Sequence, residues 1–339
     1  MYIAEHNLAE KVLIVAEIGV NHEGSFETAR MLVEKAAEAG VDAVKFQTYL
    51  PEEYVTAADK ERFARVTRFA LSFDEFRRLA DIATALGLIF FSTPLGLQSA
   101  DALEAFVPVY KISSGDLTYH RLLAHIAAKG KPVILSTGGA TVKEIDAAVE
   151  VLRRHGPDRP LSEWLLLNQC VACYPAPAEE VNLRAIPFLR ERYGVTVGYS
   201  DHTLSNAACI AAVALGARAL EKHFTDRKTG RDFHDHALSS EPHEMARLVQ
   251  DVREVEAALG TGEKRRTPCE EVGLPRLRRG IAVRRDMRAG ETLTADDITW
   301  LRPQGEFPIG AEEQVIGRTL IRDLPAGHLI RRKDLGEER

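Results

Sequence analysis

The chain has 339 residues, 45% hydrophobic and 28% charged, with a formal net charge of -6. That apolar share excludes a disordered chain, the acidic balance argues against a nucleic-acid partner, and no run approaches the roughly 18 apolar residues that span a bilayer. Four cysteines make no disulfide framework, and Met1–His6 carries neither a basic nor an apolar leader segment, so a cytoplasmic protein is expected.

Short apolar runs alternate with amphipathic stretches from residue 12 onward. Strands are expected at Val12–Glu17, Ala43–Gln47, Leu88–Ser92, Val109–Ile112, Val133–Ser136, Trp164–Asn168, Thr196–Tyr199 and Ala219–His223. Each is a continuous apolar run, as in strands buried on both faces of a parallel sheet. Helical patterns between them include Ser25–Ala39, Phe73–Leu86, Val142–Arg154 and Pro242–Leu259. Thr141 and Glu144 form a capping box, and glycines 40, 87, 194 and 216 stand where helix C-caps belong. Eight such units in about 250 residues fit a closed (β/α)8 TIM barrel, within the α/β class, better than an open doubly wound sheet. The first turn also lacks the G-x-G-x-x-G spacing of a dinucleotide site. The barrel is expected over 1–262, a Pro/Gly-containing linker over 263–278 and a small β-rich domain over 279–339. In that last part Asp286-x-x-Ala289-Gly290 recurs as Asp323-x-x-Ala326-Gly327.

In a TIM barrel the chemistry sits at the C-terminal ends of the strands. Here those ends carry Glu17, then Lys45 with Gln47, Thr93, and Lys111 with Ser114 and Asp116. Ser136, Gln169 with Tyr174, Ser200 with His202, and Glu221 with His223 follow. Lys45 and Lys111 with the hydroxyls of Thr93, Ser114 and Ser136 suit a phosphorylated, doubly anionic ligand; the competing reading has these lysines snorkel outward. His202 and His223 on neighbouring strands could meet at one octahedral divalent ion. Glu17 and Asp116 are candidate proton-transfer groups with Tyr174 as a further donor; the competing reading makes Glu17 only the ion-pair partner of Lys45. Cys170-x-x-Cys173 turns its thiols to opposite faces if the strand continues and is set aside. The loop Arg231–His236 reads as sugar-contacting, with Asp232 and Asp235 as alternative carboxylates.

These residues fall in motifs that together resemble the N-acetylneuraminate (sialic acid) synthase family: Ala16–Gly24, Lys45-Phe46-Gln47-Thr48, Ser92-Thr93-Pro94, Lys111–Asp116, Tyr174-Pro175-Ala176-Pro177, Ser200-Asp201-His202-Thr203 and Glu221–Thr225. The tail is similar to that family's antifreeze-like (SAF) domain. The resemblance implies a transferase that condenses phosphoenolpyruvate with an N-acetylated amino sugar, N-acetylmannosamine or a diacetamido-trideoxyhexose, giving a nine-carbon α-keto acid and phosphate with C–O cleavage. It implies His202 and His223 as ligands of a divalent metal, Mn²⁺ ahead of Mg²⁺ or Co²⁺. Lys45, Thr93, Lys111, Ser114, Ser136 and Ser200 become the phosphoenolpyruvate contacts. Glu17, Asp116, Tyr174 and Asp235 become the catalytic groups, and Gln47, Tyr174, Asp235 and Arg302 address the acceptor. Asp235 is preferred to Asp232 because Ser239 and Pro242 follow it at the family's spacing. Arg302 would reach the other subunit of a domain-swapped homodimer; no nucleic-acid or membrane partner is implied. A different phosphoenolpyruvate–aldose synthase would need a basic site for the acceptor's own phosphate, and the sequence shows no spare basic cluster. A non-catalytic carbohydrate-binding SAF protein is the reading from another class.

Overall fold

The computed structural model describes residues 1–336 and divides into two compact units, Met1–Gly260 and a second that begins at Thr261. In the first unit eight parallel strands form one sheet: β1 (Leu13–Gly19), β2 (Ala43–Thr48), β3 (Ile89–Pro94), β4 (Tyr110–Ile112), β5 (Val133–Ser136), β6 (Leu165–Cys170), β7 (Thr196–Asp201) and β8 (Ala219–His223). Their order is β3-β2-β1-β8-β7-β6-β5-β4, so the last strand pairs with the first and the sheet curls into a near-closed TIM barrel. The expected fold class is the observed one. All eight apolar runs are strands; β1, β2, β3, β6 and β7 extend past the expected ends, and in β2, β3, β6 and β7 the extension brings in Thr48, Thr93, Gln169 and Ser200 with Asp201.

Helices wrap the outside where the amphipathic patterns lie, including α1 (Phe26–Glu38) after β1. The capping boxes are formed at Ser72 with Glu75 and at Thr141 with Glu144, each satisfying two otherwise orphaned N–H groups. Between β2 and the helix at 73–85 the chain makes two further helices that the sequence reading left unassigned, α2 (Pro51–Tyr54) and α3 (Lys60–Phe69). α3 shares a satellite apolar cluster with the barrel mouth, built on Val20, Tyr49, Val55, Val66 and Leu95. No helix of the described residues is long and apolar enough to cross a membrane.

The second unit differs from its expected outline at its start. Residues 263–278, read as a linker, contain a helix at Pro268–Leu277, capped by Thr267 and Glu270 and burying none of its residues. Gly273 and Pro275 argued for irregular chain, but the capping box and the Pro at the first helical position prevail. Beyond it one antiparallel pair, β9 (Gly280–Val283) and β10 (Ile298–Leu301), and a set of isolated bridges enclose a core of Ile281, Val283, Met287, Leu293, Ile298 and Phe307 with others. The internal repeat is reciprocal: Asp286 accepts from the Ala326 N–H at 2.8 Å, and Asp323 accepts from the Ala289 N–H at 2.8 Å. Residues 337–339 of the expected tail domain lie outside the described residues.

Candidate active site

The strand pleat decides what faces the barrel axis. On β8, Glu221 and His223 line a cavity of about 560 Å³, a volume typical of a small-molecule site. Lys222, pointing the other way, is spent on structure: its ammonium donates to Asp201 at 2.5 Å and to the Thr203 carbonyl at 2.8 Å, all buried.

Four ionisable groups make the floor. Lys45 and Lys111 are each 3% exposed and both line the cavity, so the outward-snorkelling alternative is overturned. Lys45 sits 2.8 Å from a Glu17 oxygen and 3.7 Å from Glu221, and it donates to the Thr93 hydroxyl at 3.2 Å. Lys111 lies 3.9 Å from Glu221, whose carboxylate also accepts from the Ser200 hydroxyl at 3.1 Å. Glu221 therefore stands between the two ammonium groups. Burial pushes its carboxyl up, but Lys111, Lys45 and the Ser200 bond outweigh that and hold it down to about 2. Glu17 goes the other way: burial dominates, Lys45 opposes it and the Glu221 charge adds to it, so its carboxyl is raised. Burial also lowers Lys111, against the pull of Glu221, whereas Glu17 and Glu221 outweigh the burial of Lys45 and raise it. The two neighbouring carboxyls are thus shifted in opposite directions, Glu221 down and Glu17 up, the separation expected of acid/base pairs.

Around this floor the other strand ends bring Gln47, Ser114, Asp116 and Ser136 to the same cavity. Gln47 donates to Glu17 at 3.3 Å, and the Ser114 hydroxyl accepts the Gly138 N–H at 3.0 Å. The buried Ser136 hydroxyl has no partner, so its hydrogen-bonding capacity faces the cavity unspent. Asp116 accepts from the Ser113 hydroxyl at 2.6 Å, and burial raises its carboxyl against that bond and the Lys111 charge.

His202 and His223 come together with ring centroids 5.4 Å apart, and the Tyr174 ring lies 4.0 Å from that of His202. The His202 Nδ1 is 2.6 Å from the Val171 carbonyl. A carbonyl can only accept, so Nδ1 carries the proton and Nε2 keeps its lone pair free, the arrangement that orients a ligating histidine. Burial lowers both imidazoles, His223 to about 4, so both are neutral at physiological pH. The buried His223 Nδ1 has no hydrogen-bond partner and lies 3.6 Å from Asp235. Two neutral imidazoles, one with an unspent nitrogen, fit a divalent ion that takes its remaining ligands from water and substrate. Among the described residues no third His, Cys, Asp or Glu joins them in a preset cluster.

The two loop carboxylates separate cleanly. Asp235 lines the cavity and is 6% exposed, whereas Asp232 lies outside it and faces Arg68 at 3.4 Å. Gln169 is not at the cavity: it donates to the Val181 carbonyl at 3.0 Å. Cys170 is buried at the cavity wall and Cys173 is exposed, and both are free thiols. Arg302 lies in the second unit, exposed just beyond β10. Two features were missed. Glu221 received no role, although alternation in Glu221-Lys222-His223 already placed it on the face of His223. Arg62 and Arg65 of α3 also line the cavity, which corrects the expectation of no spare basic cluster: the segment that carries them has no assignment in the sequence, because nothing local shows that α3 folds over the rim.

The buried His22 provides a check on this electrostatic reading. Its Nδ1 accepts the Gly24 N–H at 3.1 Å, its ring packs 6.0 Å from Phe46, and burial lowers it from 6.5 to about 3. The unfolded chain therefore binds protons that the folded chain refuses, so stability is full above pH 6.5 and drains as pH falls toward 3. At pH 5 the loss is about 2 kcal/mol for His22 and a similar amount for His223. We expect the thermal midpoint to drop between pH 7 and pH 5, and His22→Gln to flatten the drop. A midpoint that does not move over that interval contradicts the assignment.

The NeuB family profile matches residues 32–264, more than half of the chain, and a SAF domain profile matches residues 278–336. The chain belongs to the NeuB family. Among NeuB relatives, the N,N'-diacetyllegionaminic acid synthase of Legionella pneumophila is 36% identical, covering 93% of this chain and 92% of the relative. The N-acetylneuraminate-9-phosphate synthase of Mus musculus is 32% identical over 84% of this chain and 82% of its own. The crystal structure of an N-acetylneuraminic acid (sialic acid) synthetase from Leptospira borgpetersenii, in complex with citrate, superposes with a TM-score of 0.72 at 33% identity, covering 77% of this chain and 90% of that one. Like these relatives, the NeuB chain described here is an enzyme of the synthase type.

Proposed function

We propose that the cavity condenses phosphoenolpyruvate with an N-acetylated amino sugar, N-acetylmannosamine or a related diacetamido-trideoxyhexose, to a nine-carbon α-keto acid and inorganic phosphate. The observation that carries this reading is the pair of fully buried lysines on the floor, Lys45 and Lys111, set beside two neutral histidines. Buried ammonium groups are costly unless charge meets them; Glu17 meets Lys45 at 2.8 Å, whereas Lys111 has only a 3.9 Å contact to Glu221, which it shares with Lys45 at 3.7 Å. A dianionic phosphate and a carboxylate complete that balance, with Thr93, Ser114, Ser136 and Ser200 supplying hydroxyl donors.

The acceptor then lies toward Gln47, Tyr174 and Asp235. His202 and His223 would hold a divalent ion, Mn²⁺ first, whose chemistry there is to polarise the sugar's carbonyl oxygen. C3 of phosphoenolpyruvate forms the new bond to the sugar's carbonyl carbon, water adds at C2, and the C2–O bond breaks as phosphate leaves. Glu17 and Asp116, both with raised carboxyls, would carry the protons of these steps. Arg302, with its planar fork of donors, is assigned to the acceptor's N-acetyl carbonyl in the partner subunit of a domain-swapped homodimer. The exposed helix at 268–277 is the connection that would let the tail reach across. A cytoplasmic location follows from the substrate, a central metabolite.

The test is phosphate release from phosphoenolpyruvate with Mn²⁺, measured with and without N-acetylmannosamine and a 2,4-diacetamido-2,4,6-trideoxyhexose. Release that requires an acceptor is expected; no release with any acceptor, or equal release without one, contradicts the proposal.

A further inference from the structure

The turn after β1 holds a residue in a backbone conformation that side chains rarely adopt. Glu23 has φ of +51°, in the left-handed region, which a residue with a Cβ keeps only where its surroundings over-determine it. From there its carboxylate reaches the loop after β8. One Glu23 oxygen accepts the N–H groups of Asp232 at 2.7 Å and Phe233 at 2.9 Å. The other lies 3.8 Å from Arg231, whose guanidinium is 2.5 Å from Asp226 at the start of the same loop. Two residues before Glu23, the buried Asn21 holds both roots of that loop. Its amide donates to the Phe224 carbonyl at 2.8 Å and to the Ser239 hydroxyl at 3.0 Å, and Ser239 in turn donates to the Asp235 carbonyl at 2.7 Å.

The segment held in this way is the one that borders the cavity. Phe233, His234 and Asp235 line it in succession, whereas Glu23 does not. With its N–H turned to Glu23, Asp232 faces Arg68 outside the cavity, and the short helical turn at His234–Ala237 brings Asp235 to 3.6 Å from His223. Water would satisfy two loop N–H groups equally well, so satisfaction alone gives no reason for a strained glutamate to be committed to them. We propose that Glu23 is a positioning residue: its carboxylate clamps the loop at 231–236 and thereby sets where Asp235 stands against the acceptor sugar. The lysines of the phosphoenolpyruvate floor come from β2 and β4 and do not depend on this clamp. The inference rests on the condensation proposed above and adds the residue that orders its acceptor side.

The experiment measures kcat and the KM of each substrate, with Mn²⁺, for the wild-type chain, E23A and E23Q. The acceptors are N-acetylmannosamine and a 2,4-diacetamido-2,4,6-trideoxyhexose, and hydrogen exchange is followed in peptides spanning residues 226–236. E23A is expected to raise KM for the acceptor by at least about tenfold, the size of one hydrogen bond to a charged group, with KM for phosphoenolpyruvate unchanged. E23Q keeps an oxygen that accepts both N–H groups and should recover most of that loss. The loop peptides should exchange faster in E23A than in E23Q, while peptides of β7 and β8 exchange as in the wild type, which separates a loosened loop from a general loss of stability. An acceptor KM that does not move in E23A, a rise of both KM values together, or an E23Q no better than E23A overturns the clamp while leaving the condensation reading in place. A wild-type chain that turns over no acceptor overturns the condensation reading. Hydrogen exchange alone then judges the clamp, and loop peptides that exchange alike in wild type and E23A overturn it as well.

Discussion

Replacing His202 with alanine is expected to abolish metal-dependent turnover while the barrel stays folded. The ring is 5% exposed, stacks 4.0 Å from Tyr174 and is tied through Nδ1 to the Val171 carbonyl. Its removal thus deletes an oriented donor without leaving a buried charge. Loss of a mere supporting partner typically costs about 10–100-fold in metal affinity or activity, so loss of a ligand should exceed that. His202→Ala should show wild-type circular dichroism, less than wild-type Mn²⁺ content after dialysis, and no detectable phosphate release. Full activity of the wild type in excess chelator, or a His202→Ala variant that retains it, would remove the metal assignment.

The second large effect is a rescue. Arg302→Ala and His202→Ala should each be inactive as pure homodimers, one lacking the tail's guanidinium and the other the barrel's imidazole. If tails are exchanged, a mixed dimer has one site with both defects and one site with neither. Co-refolded or co-expressed variants should then recover up to about half of wild-type activity per mixed dimer. A mixed dimer that forms, as shown by differential tagging, yet stays inactive would place Arg302 in its own barrel or outside the reaction.

Much of the barrel could be read from the chain because parallel strands buried on both faces leave continuous apolar runs, and all eight appear where those runs lie. The strand ends were underestimated for the same reason: Pro94, Cys170 and Asp201 continue their strands after the apolar signal stops. Those are the positions where chemistry collects. Site residues at strand ends were accessible from the fold rule alone, and the cavity gathers Glu17, Lys45, Lys111, His202, His223 and Asp235 as that rule requires. What local sequence could not show was non-local. The Phe69 ring meets Phe233 edge-on at 5.7 Å, and contacts of this kind lay α3 over the rim. They make cavity walls of two arginines in a segment to which the sequence alone assigns no structure. The pinning of Glu221 between two lysines on other strands is likewise a product of register, Glu17 beside Lys45 and His223 beside Glu17.

The central claim, that this cavity joins phosphoenolpyruvate to an amino sugar with C–O cleavage, is tested most directly by mass spectrometry of both products. The substrate is phosphoenolpyruvate carrying ¹⁸O in the bridge between C2 and phosphorus. The account predicts that the label appears in inorganic phosphate and that the acceptor gains the three carbons of pyruvate as an α-keto acid. Labelled free pyruvate with unlabelled phosphate, or an acceptor recovered unchanged, would contradict it.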